Sequence, residues 1–175
     1  AVTSVTLVSA GAAATATVAG SPYVITPSAA TGTGLGNYTI SYTTGLFTVT
    51  PATLTIDAND LSKVYGTAYT FLGTEFTATG LLGSDAVTSV TLVSAGAAAT
   101  ATVTGSPYVI TPSAATGTGL GNYTITYVDG TMTVTGAALT VTANNLSKVY
   151  GTTYTFLGTE FTATGLLGSD AVTGV

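Results

Sequence analysis

With 175 residues, 46% of them apolar and only 5% charged, the chain carries a net charge of −5 on two lysines and seven acids. It has no His, Cys or Arg, which excludes an imidazole base, a thiolate nucleophile, the usual zinc and haem ligand sets, and a phosphate backbone as partner. The seven acids are scattered, no apolar run approaches the roughly 18 residues of a membrane-crossing helix, and the aromatic girdles of a membrane β-barrel are missing, so neither catalysis nor direct membrane insertion is expected.

An internal repeat governs the rest of the reading. Residues 1–90 align without a gap on residues 86–175, and 77 of the 90 pairs are identical, a period of 85 residues. Such duplication suits a property that adds up, such as length, spacing or multivalency. A unit of this size builds only a modest core, so contact between neighbouring units matters. The chain starts without an initiator Met or a signal peptide and reads as a mature piece or an internal fragment.

In chain order, Leu82-Gly83-Ser84-Asp85 is a turn, followed by a strand over Val87–Val93. The run from Gly96 to Val103, GAAATATV, could open a short helix, but its TATV continuation favours a strand or extended edge. Gly105-Ser106-Pro107 reverses the chain into a strand over Tyr108–Thr111, and Gly117 to Gly121 reverses it again. In Tyr123–Tyr127, Tyr123, Ile125 and Tyr127 form the inward set. Asp129-Gly130 then predicts a tight hairpin into Thr131–Thr135, with Thr44-Gly45 its weaker equivalent in the first copy. Further strands are predicted over Leu139–Ala143, with Leu139, Val141 and Ala143 inward, and over Tyr154–Leu157 and Phe161–Thr164.

The pattern is all-β or mostly β. Counting from strand to strand places one complete repeat domain at 52–136, with 1–51 the C-terminal part of a preceding repeat and 137–175 the N-terminal part of a following one. Each part would expose an apolar sheet face and unpaired edges. They are satisfied if the polypeptide continues on both sides, if they fold back on the central unit, or if they complete each other between molecules. A competing frame begins at Ala1 and ends at Asp85.

Few motifs suggest chemistry. GTGLGN, at Gly32 to Asn37 and Gly117 to Asn122, leads into a strand and lacks the helix and lysine of a phosphate loop, so it reads as a turn. The Thr-x-Thr tracts are solvent-facing strand positions in preference to an ice-binding lattice. Asp57 and Asp60 offer too few oxygens for calcium, and no metal or cofactor is expected. Asn37, Asn122 and Asn145 lie in N-x-S/T triplets. Each copy holds one Lys and one Glu, Lys63 with Glu75 and Lys148 with Glu160. Brought together with an Asn such as Asn59, Asn144 or Asn145 in an apolar pocket, they would suit an intramolecular isopeptide crosslink, the alternative being hydrated surface charges. The ten Tyr form five equivalent pairs that fill the core edge or, if exposed, stack on sugar rings.

Two segments, Leu54 to Phe71 (LTIDANDLSKVYGTAYTF) and Leu139 to Phe156 (LTVTANNLSKVYGTTYTF), are each followed by TATGLLGSD; with the GNYTITY segment they resemble the MBG/YDG-type repeats of bacterial surface adhesins and filamentous exported proteins. On that resemblance Lys63, Tyr65 and Gly66 match the K-x-Y-G part, as do Lys148, Tyr150 and Gly151. Asp85 and Asp170 close the GL-x-x-GD turn, which carries one extra residue here, and Asn122 and Tyr123 belong to the closing strand. The resemblance implies that these are structural signature positions, with none catalytic. It also implies small β-grasp-like or immunoglobulin-like domains arranged end to end in an extracellular stalk or fibre at the bacterial cell surface. Neighbouring repeats would be the partners, with other copies in a filament, glycans or a host surface as further candidates and no nucleic acid.

Overall fold

The computed structural model describes residues 1–174. Among them are twelve strands and four single-turn 3-10 helices. The strands are β1 (Val2–Val8), β2 (Tyr23–Gly32), β3 (Gly45–Phe47), β4 (Ala52–Ala58), β5 (Leu61–Val64) and β6 (Phe76–Thr79), then β7 (Ala86–Val93), β8 (Tyr108–Thr118), β9 (Tyr123–Val128), β10 (Gly130–Thr135), β11 (Thr140–Ala143) and β12 (Phe161–Thr164). They form four sheets, ordered β1-β2-β3, β5-β10-β8-β7, β6-β4-β9 and β11-β12. All seven strands of the two central sheets lie between Ala52 and Thr135.

Two compact units divide the chain. The first comprises Ala1–Ile56, Ala78–Val90 and Ala114–Tyr127, and the second comprises Asp57–Thr77, Thr91–Ser113 and Val128–Val175. In the first, β1 pairs antiparallel with β2, and β2 with β3. The β1-β2 register slips near Ala29, which has a φ of 48°. The next amide, that of Ala30, donates to the Tyr42 hydroxyl at 2.9 Å, and the same device recurs one period later with Ala114, Ala115 and Tyr127. Buried side chains of this unit include Leu54, Ile56, Val90 and Tyr123.

In the second unit β10 runs parallel to β5 and antiparallel to β8, while β11 pairs antiparallel with β12. The alternation in GTMTVT places Gly130, Met132 and Val134 inside and the threonines outside. Leu92, Ala101 and Ile110 are also buried. Gly130 lies so close to the Ala58 and Asn59 carbonyls that a Cβ would collide with them, which makes glycine obligatory there.

Several segments differ from their sequence expectations. Tyr154–Leu157 forms no strand, nor does Tyr69–Leu72, because the amides of Leu72, Gly73 and Thr74 donate to the Glu75 carboxylate and turn the chain instead of joining a ladder. The run GAAATATV starts as a 3-10 turn, Ala95–Ala97, whose Gly96 amide is capped by Ser94 Oγ at 3.1 Å. Asp129-Gly130 joins no hairpin, since β9 pairs with β4 whereas β10 pairs with β5 and β8. Of the expected inward set on β9, Tyr123 is buried, Ile125 half-buried and Tyr127 exposed.

Equivalent residues meet different fates. Leu54 and Ile56 on β4 are 0% exposed, whereas Leu139, Val141 and Ala143, expected to face inward, are all exposed, Leu139 and Val141 by 47% and 41%, because β11 belongs to a sheet of only two strands. We therefore expect Leu54→Ala to cost about 2–5 kcal/mol in urea unfolding and Leu139→Ala to stay within about 0.5 kcal/mol; equal costs would contradict the difference in burial.

Candidate functional site

The signature residues hold loops together through side-chain to backbone hydrogen bonds. Lys63, on β5, is 8% exposed, and its ammonium donates to the carbonyls of Thr67 and Ala98, each at 2.8 Å. It thereby ties the KVYGT loop to the turn after β7, a tie reinforced by the Gly66 and Tyr69 amides donating to the Ala99 and Ala97 carbonyls. In the second copy the Lys148 ammonium is exposed and donates to Thr152 O at 3.2 Å.

Glu75 serves a different loop. Its carboxylate accepts the amides of Leu72, Gly73 and Thr74 at 2.9–3.0 Å and the Tyr69 hydroxyl at 3.3 Å. Burial acts to raise its pKa, but the amides of Leu72, Glu75 itself, Thr74 and Gly73 together outweigh it, so the carboxyl sits below the ordinary glutamate value. At Glu160 the Leu157 amide leads the same lowering. Lys63 and Glu75 thus engage separate partners and are not brought together as a crosslink would need. Asn59 Oδ1 accepts the Thr77 hydroxyl at 3.2 Å.

Within the first unit lies a cleft of about 440 Å³. Val18, Val49, Ala52, Leu82, Asp85 and Asn122 are among the residues that line it. The Tyr123 hydroxyl donates to Asp85 Oδ2 and accepts the Leu82 amide, both at 2.8 Å, closing the GLLGSD turn onto β9. Burial, followed by the bond to the Asp85 carboxylate, pushes that hydroxyl's pKa up. Asn122 Oδ1 accepts the Val18 amide at 3.0 Å.

Within the second unit a smaller cleft of about 160 Å³ is lined by Tyr65, Val103, Ala137, Leu167 and Asp170, among others. The Asp170 carboxylate, by hydrogen bond and by charge, pushes the Tyr65 hydroxyl up. Leu167 is seated on Gly66, where a Cβ would collide with its side chain. Tyr150 and Gly151, the equivalents one period on, are uncovered: Tyr150 is 100% exposed, and nothing would meet a Cβ on Gly151 within 4 Å.

Tyrosine hydroxyls elsewhere are also fixed. Tyr23 and Tyr108 each donate to and accept from the backbone of Thr17 and Thr102, and Tyr69 and Phe71 meet edge-to-face at 5.2 Å. Sequence reasoning missed Ser21 and Ser106, whose hydroxyls accept the amides of Val49 and Val134 at 2.9 Å; the repeated Ala/Thr-Gly-Ser-Pro setting carried only a turn signal. Asp60 Oδ1 is taken up by the Thr131 amide and hydroxyl, at 2.7 and 2.8 Å. No group of three metal-ligating side chains occurs among the described residues, and no described helix is long and apolar enough to cross a membrane.

Compared with known protein families, residues 54–133 match the model of the MBG domain (YGX type). This stretch is an MBG domain. The match contains Lys63, Tyr65, Gly66, Asp85, Asn122 and Tyr123. MBG domains are non-catalytic modules associated with bacterial adhesins. No curated protein and no solved structure matches the chain.

The loop ties predict two outcomes. Lys63→Met should cost about 1–3 kcal/mol, because the Thr67 and Ala98 carbonyls lose their donor, while Lys148→Met should remain within about 0.5 kcal/mol in the same melts. Since the folded state depresses the Glu75 pKa, its contribution is present above the ordinary glutamate value and is lost as pH falls through the folded-state value. Glu75→Gln should flatten that acid loss of stability; an unchanged pH profile would contradict the role given to its carboxylate.

Proposed function

We propose that the chain is a non-catalytic structural repeat region of a bacterial extracellular adhesin stalk or surface fibre, providing length and spacing. Residues 52–136, which contain the MBG match at 54–133, form one complete repeat, with 1–51 the C-terminal part of a preceding repeat and 137–175 the N-terminal part of a following one. The observation that carries this reading is that both central sheets draw every strand from Ala52–Thr135, while the 85-residue period runs on in both directions. Only residues 136–139 separate β10 from β11, too few for a flexible linker. Serial domains joined so closely add reach in fixed steps.

A second reading is a self-assembling filament subunit whose terminal parts are completed by neighbouring chains. It draws on Leu139 and Val141, exposed on β11 where β4 buries Leu54 and Ile56. The 1–51 segment of another copy carries the strands that would complete that sheet pair. Binding of glycans or a host surface through avidity draws on Tyr38, Tyr150 and Phe156, which are 72%, 100% and 73% exposed.

Chains carrying one to four periods test these readings by small-angle scattering and sedimentation. The spacer reading expects monomers whose maximum dimension grows by a constant step per period. A dimension that stops growing with added periods sinks it, and concentration-dependent polymers select the filament instead. Glycan binding that rises with period number would support the avidity reading.

A further inference from the structure

The two clefts are the same place met twice. Val18, Ala52, Leu82 and Asp85 line the first, and their equivalents one period on, Val103, Ala137, Leu167 and Asp170, line the second. In the repeat frame proposed above, each is a seam where the closing residues of one repeat face the GLLGSD turn of the next.

What differs is which partners each seam holds. At the first, Asp85 receives the Tyr123 hydroxyl from its own repeat, and Asn122 receives the Val18 amide from the preceding one. At the second, Leu167 is seated on Gly66 of the preceding repeat, and Asp170 lines the same cleft as Tyr65 of that repeat. The burial follows the partners. Leu82, with no KVYG loop against it, is 61% exposed, whereas Leu167, seated on Gly66, is 36% exposed.

We propose that the two seams together define one complete junction, in which the aspartate of each GLLGSD turn receives two tyrosine hydroxyls: one from the NYT segment of its own repeat and one from the KVYG segment of the preceding repeat. The leucine of the turn sits on the KVYG glycine, and the asparagine of GNY accepts the Val18-type amide. The partner of this surface is another copy of the same repeat. A carboxylate has lone pairs for both hydroxyls, and O–H donation to an ionised oxygen is stronger than a neutral hydrogen bond. Glycine is favoured in the KVYG loop because Gly66 has a φ of +86°, and the tip of the Leu167 side chain lies where a Cβ would stand. The signature tyrosine, glycine, aspartate and asparagine are thus junction residues, and the junction fixes the angle between successive repeats.

This inference rests on the repeat reading, and its test is separate. The chain has no cysteine of its own, so cysteines placed at the exposed Thr111 and Thr162 can carry a spin-label pair across the second seam of the full chain. The unaltered seam should give one narrow distance peak. Tyr65→Phe, which removes only a hydroxyl, and Asp170→Ala should each lose that peak to a broad distribution. The double variant should be no broader than either, and Tyr150→Phe, which has no partner, should keep the narrow peak. Thermal melting of the central repeat should be unchanged throughout. A narrow peak in Tyr65→Phe would overturn the proposal, as would a lowered melting point with the peak intact, which would confine Tyr65 to a role within its own repeat. Scattering that fails to grow with period number would sink the repeat reading, whereas normal growth with an unaffected Tyr65→Phe peak would sink the junction alone.

Discussion

A strand with one apolar face is stable only where other strands cover that face and pair its edges. In this chain the condition decides the state of two nearly identical copies of one sequence. β4 satisfies it and buries Leu54 and Ile56 completely; β11, with the same alternation, pairs only with β12 and leaves Leu139 and Val141 in solvent. The same contrast holds at Leu92 and Leu7, 6% and 64% exposed, and at Val90 and Val5, 1% and 37% exposed. Local sequence is equal in the last two pairs, so the difference there lies in which strands are at hand.

A chain with two lysines and no disulfide secures its loops by using side chains as caps for the backbone. Lys63 holds two carbonyls, Glu75 holds three amides, and the hydroxyls of Tyr23, Tyr42, Tyr108, Tyr123 and Tyr127 satisfy amides that leave the ladders. Buried polar groups must be paired, and no buried side-chain nitrogen or oxygen among the described residues lacks a partner. Lys63, Glu75, Glu160, Asp60 and Asp85 are thus engaged in holding loops and strands in place.

Much of this was legible in the residues. The alternation in TMTVT marked β10, with Met132 and Val134 inside, and K-x-Y-G, GLLGSD and GNY marked the family, but the same alternation in LTVTA pointed Leu139, Val141 and Ala143 inward where β11 leaves them exposed. The failures have physical causes. YTFL has the composition of a strand, but Glu75 and Glu160 lie close enough in sequence to take the amides a ladder would need. Asp129-Gly130 has the residues of a tight hairpin, but its flanking strands join different sheets, a matter of long-range pairing that no local pattern reports. The bond between Val18 and Asn122 spans 104 positions. Its only sequence trace is that both residues recur with the 85-residue period.

We propose that residues 52–136 form one complete repeat between two stretches of the same sequence whose environments differ. Amide hydrogen exchange tests it directly, because LTIDAND and LTVTANN differ in composition and are resolved as separate peptides. The account predicts slow exchange over Leu54–Ala58 and markedly faster exchange over Leu139–Ala143. Equal protection of the two segments in the 175-residue chain would contradict it.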